Sequence, residues 1–193
     1  MSDKNKVVLI TGGVRSGKSE FAESLLQNEK SVLYIATAKI TDKEMEHRVE
    51  KHKERRNGTW KTYEGYKDLG KIMKYYDEKN ILLDCITVMT TNLMFHKEID
   101  YENIKEGELD EILEGIKKEF YDLIISVKEE NKNIILVTNE VGYSIVPAYK
   151  LGRIFRDFQG IINKFIASLS DEVYLVTCGI PLKIKIKLIL VTN

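Results

Sequence analysis

Five short runs in this chain are apolar almost without interruption: residues 7–11 (VVLIT), 32–36 (VLYIA), 81–85 (ILLDC), 134–138 (IILVT) and 173–177 (VYLVT). Such runs lack the polar alternate positions of a half-wet sheet, so they predict strands covered on both faces. Longer patterns of a different period lie between them. Leu109, Ile112, Ile116, Phe120, Leu123 and Val127 recur every three or four residues, and so do Leu151, Ile154, Phe155, Phe158, Ile162, Phe165 and Leu169. Each set predicts one amphipathic helix whose aliphatic and aromatic stripe is core, not a cofactor surface. Thr41 followed by Glu44 reads as a capping box opening a helix through about Arg56. Residues 20–26 predict a further helix with Phe21 and Leu25 turned inward. Strands alternating with helices predict an α/β fold with a mostly parallel sheet flanked by helices. The tail breaks the pattern: Lys183, Lys185 and Lys187 alternate with Ile184, Ile186 and Leu188. A strict period of two predicts a C-terminal edge strand with a wet lysine face that discourages unwanted pairing.

Composition narrows the function classes. A chain of 193 residues, without internal repeats or a Gly/Ser-rich linker, reads as a single domain over 1–193. Thirty Lys and Arg balance thirty Asp and Glu. Zero formal charge argues against nucleic acid or an anionic membrane surface as the partner and leaves room for a local basic pocket. The longest apolar runs, 134–137 and 188–191, are far too short for a membrane span. No signal peptide is visible before the first strand, so a cytoplasmic location is expected. Cys85 and Cys178 each end an apolar run and are expected as buried, reduced thiols.

One motif carries chemistry. Gly12-Gly13-Val14-Arg15-Ser16-Gly17-Lys18-Ser19 matches G-x-x-x-x-G-K-[ST] between a predicted strand and a predicted helix, the context of a phosphate-binding loop. Glycines let successive backbone N–H groups curl around a polyphosphate, and a helix start adds partial positive charge. In that arrangement Lys18 neutralises the β- and γ-phosphates of ATP or GTP, and the Ser19 hydroxyl ligates Mg²⁺. The metal also needs a carboxylate at the end of a neighbouring strand. Asp84 stands there by pattern, with Glu140 as its rival. No Asn-Lys-x-Asp guanine-reading motif is present, which disfavours a regulatory GTPase.

From Leu9 to about Lys185 the chain resembles the bifunctional adenosylcobinamide kinase/adenosylcobinamide-phosphate guanylyltransferase family of cobalamin biosynthesis. The resemblance rests on ordered blocks: the loop from Thr11 to Ser19, YIATA at 34–38, Asp42 to Met45 with Arg48 and His52, and Trp60 with Glu64. It continues through LDCIT at 83–87, TNL at 91–93, TNEVG at 138–142, Ile145 to Pro147, Phe155 to Asp157, Asn163, Asp171 to Val173, and GIPLK at 179–183. It implies a P-loop NTPase-like domain, a homotrimer and two reactions. Adenosylcobinamide is phosphorylated with ATP or GTP, then GMP passes from GTP to the product through a GMP–histidine intermediate, giving adenosyl-GDP-cobinamide. It also implies that His52 is the guanylylated residue and that Thr37, Ala38, Lys39, Arg55, Arg56, Glu64 and Asp84 contact the nucleotide. The chemistry suits His52, because a neutral imidazole is a good nucleophile toward phosphorus near neutral pH. The flanking Lys51, Lys53, Arg55 and Arg56 would disfavour its protonation and hold departing pyrophosphate.

Three departures stand out. Some family members carry two adjacent histidines where this chain has Lys51-His52, Val14 replaces the usual alanine, and residues 186–193 extend past the resembling region without a functional account. Two alternatives remain open at this level: a P-loop small-molecule kinase without nucleotidyl transfer, and a non-enzymatic nucleotide-gated interaction module.

Overall fold

The structure, a computed structural model, describes residues 5–38, 58 and 60–186. The strands are β1 (Val7–Gly12), β2 (Val32–Ala36), β3 (Lys61–Glu64), β4 (Asn80–Asp84), β5 (Asn133–Asn139), β6 (Glu172–Thr177) and β7 (Ile180–Ile186). They form one sheet in the order β3-β2-β4-β5-β1-β6-β7. The first six run parallel, and β7 returns antiparallel at the edge. The helices are α1 (Lys18–Ser24), α2 (Leu69–Ile72), α3 (Ile86–Met94), α4 (Glu106–Glu129) and α5 (Lys150–Leu169).

The apolar runs became strands because both faces of the sheet are covered. On one face Leu9, Leu83 and Leu136 pack with Phe120 and Leu123 of α4 and Ile162 of α5. On the other, Ile10, Leu82 and Val137 pack with Ala22 of α1 and with Leu26. Full burial of each large side chain contributes about 1.5–3 kcal/mol, so the two sheet faces hold the helices without help from surface charge. Because six strands are parallel, their carboxyl ends share one edge of the sheet, the edge at which ligands of open α/β sheets bind.

Several expectations need correction. Leu26 is fully buried while Leu25 is exposed, since α1 closes at Ser24 and the chain turns there. Cys85 is buried, but Cys178 is exposed in the β6–β7 turn at φ +54°. The edge strand is present and exposed over residues 180–184, but its lysines are partnered. Lys183 reaches Glu172 at 2.7 Å and lies over the Tyr174 ring, and Lys185 donates to the Ala167 and Ser168 carbonyls near the end of α5. A cation there is favoured by the helix dipole. Ile180, Leu182 and Ile184 are exposed as well. The capping box expected at Thr41 and the helix to Arg56 lie outside the described residues.

Candidate nucleotide site

The loop after β1 takes the shape its glycines permit. Gly17 at φ +92° caps α1, and Arg15 stands at φ +57°. A Cβ on Gly12 would lie 2.4 Å from the Val176 carbonyl oxygen and 2.6 Å from Ser16 Oγ, so only glycine fits at the strand end. The loop is braced from behind by the β6–β7 turn, whose Gly179 N–H donates to the Ser16 carbonyl at 2.9 Å. Nothing in the P-loop pattern announces that brace; only the adjacency of β6 to β1 reveals it.

Lys18 is buried, and its Nζ donates to the Gly13 carbonyl across the loop at 3.1 Å. Burial pulls its pKa below the ordinary lysine value, opposed by Cys85, Asp84 and Glu20. A desolvated ammonium that carbonyls and carboxylates only partly compensate is a strong site for an added anion. Cys85 is pushed up to about 12 by burial and by the charge of Asp84, so it stays a neutral thiol and offers no nucleophile.

Asp84 ends β4, level with Ala36 of β2 and Val137 of β5. The expectation of a carboxylate on the strand next to β1 is met one place further out, because β5 lies between them. Two inter-strand spacings amount to about 10 Å. Glu140 is nearer in strand order, yet its Oε1 accepts from the Gly142 N–H at 2.8 Å and is turned toward its own loop. Its backbone N–H donates to the Gly12 carbonyl at 3.0 Å, tying β5 to the start of the P-loop.

Thr37 and Ala38 follow β2 beside Asp84. The Thr37 hydroxyl donates to the Cys85 carbonyl and accepts from the Cys85 N–H, and the Thr37 carbonyl accepts from Asn92. The side chain expected to touch nucleotide therefore fastens the end of β2 to the end of β4. Glu64 ends β3 at the far edge of the sheet, four strand spacings and about 19 Å from β1, too far to share a phosphate with Lys18. Lys39, His52, Arg55 and Arg56 lie outside the described residues, as does His47. His96 has both ring nitrogens engaged, by the Tyr66 hydroxyl and the Lys67 ammonium.

Hard oxygen donors suit Mg²⁺. The half-buried Ser19 opens α1 and the Asp84 carboxylate acts electrostatically on Lys18, so both belong to one neighbourhood. Among the described residues no group of three His, Cys, Asp or Glu side chains forms a metal cage.

Among solved structures, a KaiC-like protein from Pyrococcus horikoshii OT3 aligns with 89% of this chain and 71% of its own at 17% identity, with a TM-score of 0.46. Sequence relatives are much nearer. The bifunctional adenosylcobalamin biosynthesis protein CobU of Escherichia coli K12 is 41% identical over 184 residues, covering 93% of this chain and 99% of its own. CobU of Salmonella typhimurium is 42% identical over 182 residues with the same coverage of each chain. The bifunctional protein CobP of Pseudomonas aeruginosa is 34% identical over 180 residues, covering 92% and 96%. The family model for cobinamide kinase/cobinamide phosphate guanyltransferase matches residues 8–184, from β1 into β7. With a phosphate-binding loop, a strand-end carboxylate and relatives aligned over almost their whole length, the chain belongs to the cobinamide kinase/cobinamide phosphate guanyltransferase family.

Proposed function

We propose that this chain, as one domain over 1–193, phosphorylates adenosylcobinamide and then converts the product to adenosyl-GDP-cobinamide. The observation that carries the reading is the buried Lys18 ammonium of the P-loop, held on the Gly13 carbonyl at the carboxyl edge of the sheet where Asp84 ends β4, in a chain of this family. In the first reaction the substrate hydroxyl oxygen attacks the γ-phosphorus of ATP or GTP. The bond to the β-phosphate oxygen breaks, the nucleoside diphosphate leaves and the hydroxyl proton is released. Lys18 moves from the Gly13 carbonyl onto the β- and γ-phosphates and stabilises the charge that develops there. Ser19 and Asp84 would hold Mg²⁺, whose chemistry is neutralisation of phosphate charge.

In the second reaction an imidazole nitrogen of His52 attacks the α-phosphorus of GTP, and pyrophosphate departs with the electron pair of the broken P–O bond. A phosphate oxygen of adenosylcobinamide phosphate then attacks the same phosphorus, the P–N bond breaks and His52 is released. Lys39, Arg55 and Arg56 bind the nucleotide in this reading, with Thr37, Ala38 and Glu64 toward its nucleoside end. A homotrimer in the cytoplasm completes it. The exposed Tyr143, Ile145, Val146 and Tyr149 support an assembly that covers this loop.

The test is turnover by the purified chain. With γ-labelled ATP the label should appear on adenosylcobinamide; with GTP, pyrophosphate release beyond a single burst of one per site should depend on adenosylcobinamide phosphate. Phosphate transfer without that release would leave only a small-molecule kinase, and no transfer at all would overturn the reading.

A further inference from the structure

The apolar stripe of α5 is interrupted by two buried amides, Gln159 at 0% exposure and Asn163 at 9%. Both meet Thr138, which is fully buried near the end of β5. We propose that Thr87, Thr138, Gln159 and Asn163 are positioning residues that fix Asp84 and the P-loop relative to each other. The proposal rests on reading this edge as the phosphoryl-transfer site.

The hydrogen bonds run in one direction. Thr138 Oγ donates to Asn163 Oδ1 at 2.7 Å, and Gln159 Nε2 donates to Thr138 Oγ at 3.0 Å and to Asn163 Oδ1 at 2.8 Å. Asn163 Nδ2 donates to the Asn139 carbonyl at 3.1 Å, while the Asn139 N–H donates to Thr87 Oγ at 2.8 Å. With the Thr138 proton committed to Asn163, the 3.4 Å contact between hydroxyls is filled by Thr87 donating to Thr138. Each hydroxyl thus has one assignment, and neither can rotate without breaking a partner's bond.

The two ends of this chain of bonds reach the site. Thr87 lies in the first turn of α3, three residues after Asp84. Asn139 precedes Glu140, whose N–H holds the Gly12 carbonyl of the P-loop. The strand between β4 and β1 is therefore locked laterally to both at the level where Asp84 and Lys18 must cooperate. Core packing does not require this arrangement. Leucine at Gln159 and Asn163 would continue the stripe, and Gln159 Oε1 is buried without a hydrogen-bond partner among the described residues, a cost that packing alone would not retain. Misplacing reacting groups by about 1 Å costs up to about 100-fold in rate, so a rigid lateral lock has a catalytic use.

The test compares full-length wild-type protein, Thr138→Val, Thr138→Ser and Gln159→Met. For each, kcat and nucleotide KM of the kinase step are measured, with ATP Kd in the presence and absence of Mg²⁺ and a thermal melt to define the folded fraction. Thr138→Val keeps the shape and removes the hydroxyl. Per folded molecule it should lose about tenfold in kcat with KM changed less than about twofold, and the gain in ATP affinity on adding Mg²⁺ should shrink several-fold. Thr138→Ser should recover to within about threefold of wild type, and Gln159→Met should follow Thr138→Val if the latter does not fold. A folded Thr138→Val or Gln159→Met with wild-type kcat and wild-type Mg²⁺ gain overturns the proposal. So does a Ser variant as impaired as Val. If wild type transfers no phosphate, the functional reading fails instead, and the Mg²⁺ dependence of ATP binding still decides the positioning role.

Discussion

Replacing Glu172 by glutamine removes one carboxylate that three groups share. Glu172 Oε1 meets Lys6 at 2.8 Å and Lys183 at 2.7 Å, and Oε2 accepts from the Tyr174 hydroxyl at 2.9 Å. The residue therefore ties the start of β1 to β6 and β6 to β7. Burial would raise its pKa, but the bonds from Lys183, Lys6 and Tyr174 prevail and hold it at about 2, against an ordinary value of 4.5. At about 1.4 kcal/mol per pH unit, that difference corresponds to about 3 kcal/mol of stability. Glu172 is 15% exposed and its lysines 23% and 31%, so solvent screening reduces the expected loss to about 1.5–3 kcal/mol. The sign follows from the depressed pKa. The contribution is complete above pH 4.5 and disappears as the pH falls toward 2. Urea denaturation of wild type and Glu172→Gln at pH 7 and near pH 2 measures both effects. The variant should be weaker at pH 7 and should lose less stability on acidification. Equal stability at pH 7, or an acid slope as steep as that of wild type, would refute the reasoning.

Gly12→Ala places a methyl group against the Val176 carbonyl, so the thermal midpoint should fall by several degrees and ATP affinity by more than about tenfold, read by melting and calorimetry. Lys18→Ala removes the buried ammonium of the loop, and phosphate transfer to adenosylcobinamide should drop by about three orders of magnitude in a label-transfer assay. Asp84→Asn keeps the size of the side chain and removes a charge that opposes the lowering of the Lys18 pKa. Its melting temperature should stay near wild type while the Mg²⁺ activation curve shifts to higher concentration; an unchanged curve would move the metal role to Glu140.

The sheet was legible because its central strands are buried on both sides, which forces the uninterrupted runs at 7–11, 81–85 and 134–138. The two long helices were legible from their stripes. β3 was not, since Lys61-Thr62-Tyr63-Glu64 is a four-residue edge strand with little apolar content. α3 escaped notice because its turns carry Thr87, Thr90 and Thr91, residues of modest helix propensity. The loop and Asp84 were readable from residue type and spacing, whereas the brace from Gly179 and the lock around Thr138 depend on which strands become neighbours. The lysines of β7 misled for a related reason: period two reports alternation, not which face finds partners, and Glu172 and the end of α5 took the cations.

Nucleotidyl transfer through the chain's own histidine is the step that separates the bifunctional enzyme from a simple kinase. Incubating the protein with α-labelled GTP and Mg²⁺ without acceptor, then mapping the label by mass spectrometry, tests this directly. The expected result is an acid-labile, alkali-stable adduct on His52, absent from His52→Asn, retained in His47→Ala and discharged by adenosylcobinamide phosphate. Label that persists in His52→Asn, or that maps to Lys51 or a hydroxyl residue, would contradict it.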